Sequence, residues 1–331
     1  MIWITFLVSA GIIVFASMKL AEFGDAVALR TGLGGMFIGI LLMAGATSLP
    51  ELLTTINSIN QDVPDLAAGN LFGSNMFNMF LLAMLDLSNQ RKRILRSAML
   101  KHGLTGSLTV LISTLVVFSI LADLDFSVGW VGIDSVFILL AYGVALRLIQ
   151  KTNVRTAGRA PVKRPVVPPG TPSLFASVLG FGLATALLVL VTPYLVSSSA
   201  GIAEVTGLGA TFVGSTLVAI VTSLPELVTT FAAAKLGADD MAIGNLFGSN
   251  MFNMFALGLT DVFYLPGRFL GVIDPAFTLI ALIGLLMTAV ALVGNLAKIE
   301  HRLGFVEIDA LLLILMYFGG LYLLYMRGLS T

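Results

Sequence analysis

The stretch DLAAGNLFGSNMFNMF begins at Asp65 and returns as DMAIGNLFGSNMFNMF from Asp240, matching at 14 of 16 positions. A second pair precedes it at the same offset of 175 residues: TGLGGMFIGILLMAGATSLPELLTTI from Thr31 and TGLGATFVGSTLVAIVTSLPELVTTF from Thr206. Shared apolar composition does not hold register over such distances. The chain therefore carries an internal duplication, and its fold must be two copies of one unit packed together.

Each copy is apolar enough for lipid. The 331 residues are 57% hydrophobic and 11% charged, with a mean hydropathy of +1.00; soluble chains carry about 25% charged residues. A spanning helix takes about 20 apolar residues. Such runs fall near 2–20, 33–59, 65–85, 104–121, 129–149, 173–196, 208–235, 240–261, 276–295 and 306–326. Five spans per half is an odd number, so the second half must enter the bilayer upside down relative to the first. The expected fold is an all-α integral membrane protein of about ten transmembrane helices in two inverted five-helix repeats. In that architecture a transport site lies between the repeats near the midplane. The first repeat is expected at 1–152, a cytoplasmic linker at 153–172 and the second repeat at 173–331. The opening run MIWITFLVSAGIIVFASMKL has no basic segment before it and is long enough to span, so it is expected to be a retained first helix.

The basic residues orient the chain. With the N-terminus outside, Arg91, Lys92, Arg93, Arg96 and Lys101 fall inside, as do Lys151 and, in the proline-rich linker, Arg155, Arg159, Lys163 and Arg164. Arg268 and Arg327 fall outside. This bias predicts both termini on the outer face of a prokaryotic-type inner membrane.

Each repeat brings the same polar set into its apolar spans. The first holds Thr47, Ser48 and Glu51, then Asn70, Ser74, Asn75 and Asn78; the second holds Thr222, Ser223 and Glu226, then Asn245, Ser249, Asn250 and Asn253. A carboxylate at mid-membrane costs about 2.5–3.5 kcal/mol, and the central parts of these spans hold no lysine or arginine. The natural partner is a cation from water. Ser48-Leu49-Pro50-Glu51 and Ser223-Leu224-Pro225-Glu226 also fit a capping box with proline in the first turn. A cap in mid-span means a broken helix, tolerated where it lines a cavity. The break should free carbonyls just upstream, around Ala44 and Ala219. In GNLFGSNMFN, Asn70, Ser74 and Asn78 share one helix face, as do Asn245, Ser249 and Asn253. That stripe is expected to face the carboxylates, while Gly69, Gly73, Gly244 and Gly248 pack against neighbouring helices. Met76, Met79, Met251 and Met254 are expected to pack.

Carboxylate, hydroxyl, amide and carbonyl oxygens suit hard cations. Calcium takes about 6–8 of them in flexible geometry, and sodium would use many of the same atoms. The chain has no cysteine, which excludes a disulfide framework and a thiolate metal site. His102 and His301 sit in charged, connector-like stretches and are expected to be solvated.

At ATSLPELLTTI, TSLPELVTT and the paired GNLFGSNMFN blocks, the sequence resembles the calcium/cation antiporter superfamily, and within it the prokaryotic sodium/calcium exchangers with their two alpha-repeats. The resemblance implies ten helices, with ions bound between helices 2, 3, 7 and 8. Carried over by position, it implies Glu51 and Glu226 as central calcium ligands shared with sodium. Thr47, Ser48, Thr222, Ser223, Ser74 and Ser249 would supply hydroxyl or carbonyl oxygens, and Asn78 and Asn253 would complete the ring. It also implies that the first and sixth helices slide against the rest. Some exchangers of this family carry aspartate where this chain has Asn253, so the central site here is expected to hold charge −2 when empty.

The expected function is exchange of calcium for sodium across a membrane by alternating access, with no enzymatic activity, no cofactor, no nucleic-acid partner and a monomer as the transport unit. Calcium/proton antiport through the same two glutamates is the alternative. A cation channel fits a pseudo-twofold repeat with broken helices less well. The threonines after each glutamate (Thr54, Thr55, Thr229 and Thr230) read as polar helix-face residues, without the nucleophile–base pairing of an intramembrane enzyme.

Overall fold

A computed structural model describes residues 1–31, 44–88, 94–123, 125–156, 167–236, 239–274, 276–296, 302–303 and 306–328. The chain is mostly helical. In order, its helices are α1 (Ile2–Thr31), α2 (Leu49–Asn60), α3 (Pro64–Ser88), α4 (Ile94–Ala122), α5 (Ile133–Thr156), α6 (Leu174–Thr206), α7 (Gly209–Val213), α8 (Ala219–Thr222), α9 (Leu224–Lys235), α10 (Asp239–Phe263), α11 (Ala276–Leu296) and α12 (Ile308–Gly328). A π-helical turn, Gly214–Val218, joins α7 to α8. Among the described residues, six helices are long and apolar enough to cross a membrane, and the pair Gly209–Thr222 and Leu224–Lys235, bent by 42°, meets the same length and composition as a broken span or a re-entrant loop. The first-half span expected near 33–59 lies partly outside the described residues, as do the middle of the linker, Arg91 to Arg93 and His301.

The duplication is written into the element boundaries. Adding 175 to the first residues of α2, α3 and α5 gives those of α9, α10 and α12. Two short hairpins obey the same shift. Ser127–Val128 pairs antiparallel with Val131–Gly132, and Arg302–Leu303 pairs with Val306–Glu307 in the same register. Tyr142 stacks on Phe255 at 4.6 Å, and its counterpart Tyr317 stacks on Phe80 at 4.7 Å.

Two apolar clusters divide the molecule. α1 and α6 run along each other through Phe6, Ile13 and Leu20 against Leu188, Leu195 and Ile202. The larger cluster joins α3, α4, α5, α10, α11 and α12. Against expectation, α1 runs on to Thr31. Beyond Leu20 its residues (Ala21, Glu22, Ala26) lose hydropathy but remain good helix formers. α4 likewise starts ahead of its apolar run, which places His102 inside a helix and buries it at 6% exposure, correcting the reading of a solvated loop residue.

One ion-pair cluster locks the halves together at the α4–α5 and α10–α11 turns. Arg268 meets Asp134 at 2.9 Å and Asp123 at 2.9 Å. Burial alone would lower the Arg268 pKa, but the two carboxylates outweigh it and raise it. Next to it, Asp261 accepts hydrogen bonds from Gly132 N at 2.6 Å and from Phe269 N. The Asp123 side chain is 74% exposed and that of Asp134 7%. Breaking a buried pair strands a charge at a cost of about 3–5 kcal/mol, whereas an exposed pair contributes about 0–1 kcal/mol. We therefore expect Arg268→Ala to lower thermal stability in detergent strongly, and Asp123→Ala to leave it nearly unchanged.

Candidate functional site

Both broken spans kink at the same place for the same reason. Proline at 50 or 225 has no N–H to donate, and in a continuous helix its ring would strike the carbonyl four residues back. The chain answers with Ser48 at φ −91°, ψ 6° and Ser223 at φ −90°, ψ 5°. α2 and α9 start afresh there, with Glu51 and Glu226 in their first turns.

The serines do not cap these helices, which corrects the capping-box reading: neither side chain bonds to its own helix start. Each reaches across to the other repeat instead. Ser48 Oγ donates to Glu226 Oε1 at 2.9 Å, and Ser223 Oγ donates to Glu51 Oε1 at 3.0 Å. The carbonyls of Ala44 and Ala219 are not freed by the break either. They still accept Ser48 N and Ser223 N, each at 3.0 Å. The amide that proline removes would have served Ala46 and Val221. Ala44 O and Ala219 O keep a second lone pair, which accepts Thr47 Oγ1 at 3.2 Å and Thr222 Oγ1 at 3.3 Å.

α3 and α10 close the site. Ser249 Oγ donates to Glu226 Oε1 at 3.2 Å, while its counterpart Ser74 Oγ reaches Ala219 O at 3.5 Å. Asn78 Nδ2 donates to Asn250 Oδ1 at 2.9 Å, and reciprocally Asn253 Nδ2 donates to Asn75 Oδ1 at 3.0 Å. These amides pair with each other and not with the carboxylates, although the sequence placed their stripe toward the acids. Asn70 Nδ2 likewise bonds the Glu51 backbone carbonyl, at 3.1 Å. Asn75 and Asn250, left out of the expected ligand set, join the two halves of this amide ring. The signal for them was already in the repeat, which keeps both.

The site is closed from the surface and strongly polar. Thr47, Ser48, Ser74, Asn78, Thr222, Ser223, Glu226, Ser249 and Asn253 are 0% exposed, and Glu51 is 1% exposed. Four acceptor oxygens face no hydrogen-bond donor: Glu51 Oε2, Glu226 Oε2, Asn78 Oδ1 and Asn253 Oδ1. Among the described residues, no lysine, arginine or histidine pairs with either glutamate. Bare buried acceptors around two carboxylates are costly without compensation, and a cation is one chemistry that such a donor set can take. Met76, Met79, Met251 and Met254 are buried at 0–2% and pack as expected.

The chain is similar in sequence to the inner membrane protein YrbG of Escherichia coli (strain K12), 29% identical over 270 residues that cover 80% of this chain and 79% of YrbG. Its fold matches that of the H+/Ca2+ exchanger CAX with a TM-score of 0.73 at 13% identity, covering 99% of this chain and 85% of that one. It also matches the sodium-calcium exchanger NCX_Mj with a TM-score of 0.60 at 23% identity, covering 97% and 99%. The family described as sodium/calcium exchanger protein matches residues 1–150 and 176–326, which takes in both broken spans, both glutamates and the amide ring. On that match over both halves, the chain belongs to the sodium/calcium exchanger protein family.

Proposed function

We propose that this membrane protein is a secondary-active antiporter that exchanges calcium for sodium by alternating access. The observation that carries the reading is the pair of buried carboxylates, one from each repeat. Each is held by a serine of the other repeat, and each keeps one oxygen with no donor. Two negative charges match one divalent cation or two monovalent ones. The chemical basis for competition between calcium and sodium is thus one set of hard oxygens.

In this reading Glu51 and Glu226 are the central ligands. Thr47, Ser48, Thr222, Ser223, Ser74 and Ser249, with Asn78 and Asn253, supply neutral oxygens, and the carbonyls of Ala44 and Ala219 join them when the Thr47 and Thr222 hydroxyls that now bond them turn to the ion. The reciprocal bonds support two like repeats facing each other across the site; in this reading they are inverted five-helix repeats, residues 1–152 and 173–331 about the linker 153–172, with ten helices and both termini outside. One transport unit is then a single chain, since both halves of the site come from it.

Proton-coupled calcium exchange is the second reading. It is favoured by the bare Glu51 Oε2 and Glu226 Oε2, since a carboxylate oxygen without a donor is a site for a proton as well as for a metal. Calcium-45 uptake into proteoliposomes separates the two. An outward sodium gradient is expected to drive uptake at constant pH, and a pH gradient without sodium is not. The reverse result moves the chain to proton coupling.

A further inference from the structure

Thr54 and Thr229 stand at equivalent positions, each three residues after its glutamate, yet they are bonded differently. Thr229 Oγ1 donates to the backbone carbonyls of Pro225 at 2.8 Å and Glu226 at 3.2 Å, and it accepts the Asn245 amide at 3.1 Å. Thr54 Oγ1 is fully buried and has no hydrogen-bond partner. In its half the amide of Asn70 has moved one step and caps the Glu51 carbonyl directly, at 3.1 Å, with Thr55 Oγ1 at 3.3 Å. Both asparagines still accept from the opposite repeat, Asn70 from Thr222 at 2.9 Å and Asn245 from Thr47 at 3.5 Å. The bond to the next threonine is common to both halves, since Asn245 Nδ2 also donates to Thr230 Oγ1 at 3.2 Å, so the same threonine–asparagine pair differs between the halves only in which of its members takes the glutamate carbonyl.

We infer that Thr54 with Asn70, and Thr229 with Asn245, form a two-position switch whose halves trade arrangements when access alternates. The inference rests on the alternating-access reading above. Inverted repeats of like sequence produce opposite access when each adopts the other's conformation. A helical threonine moves between its two favoured rotamers by one rotation that makes or breaks its bond to the carbonyl three or four residues back. In the opposite state Thr54 Oγ1 takes the Glu51 carbonyl, and the Asn245 amide takes that of Glu226. Each glutamate backbone therefore stays capped in both states. The orphaned hydroxyl of Thr54 marks the half that is waiting to change. All four are positioning residues, acting on the glutamates through backbone and neighbours.

The test uses the absence of cysteine from the chain. Single cysteines are placed at Leu53 or at its repeat mate Val228, in oriented vesicles, and labelled with an impermeant maleimide from each face. Thr54→Val removes a bond that only the opposite state makes, and Thr229→Val removes one that only the present state makes. The ratio of labelling at the two positions is expected to shift in opposite directions for the two variants, each about fivefold, the worth of one buried hydrogen bond. The double variant should return it close to wild type, and Thr54→Ser and Thr229→Ser should not move it. Shifts in the same direction, or no shift, overturn the switch. Calcium exchange by the wild type in the same vesicles separates the two failures. If it exchanges calcium without opposed shifts, the switch alone is rejected; if it exchanges none, the antiport reading falls with it.

Discussion

Glu51→Gln and Glu226→Gln are each expected to reduce calcium-dependent exchange by about 30-fold or more, measured as initial calcium-45 flux. Glutamine keeps the shape of the side chain and an acceptor for the serine of the other repeat, Ser223 or Ser48. It removes one of the two charges that balance a divalent ion. It also turns an acceptor oxygen that faces no donor into an amide that repels a cation. Loss of a hydrogen-bonded charge from a buried binding site costs about 2–5 kcal/mol, which spans roughly 30- to 4,000-fold. Both substitutions should act about equally, because the two halves contribute alike. The double variant should be little worse than either single one, because one ion needs both carboxylates. Thermal stability is expected to hold or rise, since removing a buried negative charge relieves the empty site. A variant that loses exchange and stability together would point to a structural role.

The second large effect is expected at Gly73, on stability and exchange together. A methyl group there would collide with the backbone oxygen of Ser215, and it would lie 2.6 Å from Ser215 Cα and 2.8 Å from Ala219 Cβ. These atoms belong to the π-turn and α8, which run into the broken span, so the neighbour that must yield is backbone. Overpacking costs about 1–3 kcal/mol where side chains can adjust, and Gly73→Ala should lie at or above the top of that range. The displaced segment carries the Ala219 carbonyl, so calcium flux should fall as well. Its repeat mate Gly248 meets only Ala44 Cβ, at 3.1 Å, and Gly143 meets nothing within 4 Å. Gly248→Ala is therefore expected to be mild and Gly143→Ala neutral, with melting temperature in detergent as the measurement.

Much of the architecture was legible because duplication turns one sequence into an alignment of its own halves. Proline behind a mid-span serine gives the break at Ser48 and Ser223, and the lone carboxylates of Glu51 and Glu226 mark where charge enters the bilayer. What spacing could not give is which half a side chain serves. Ser48 lies three residues before Glu51, and local reading pairs them as a cap; in the fold it faces Glu226, 178 residues away. Nor could spacing show that Asn78 and Asn253 use their amide nitrogens on Asn250 and Asn75 across the interface, which leaves only their oxygens without a donor. The Arg268 cluster depends on two turns meeting in space, and helical periodicity carries no information about turns. His102 was misplaced because its polar neighbours disguised the continuation of α4.

Calcium titration of the purified chain, read by calorimetry with and without sodium, tests the central claim most directly. One site spanning both repeats predicts one calcium bound per chain, displaced competitively by sodium with a slope near two, and lost in either glutamate variant. Calcium binding that ignores sodium, or that survives either substitution, would contradict it.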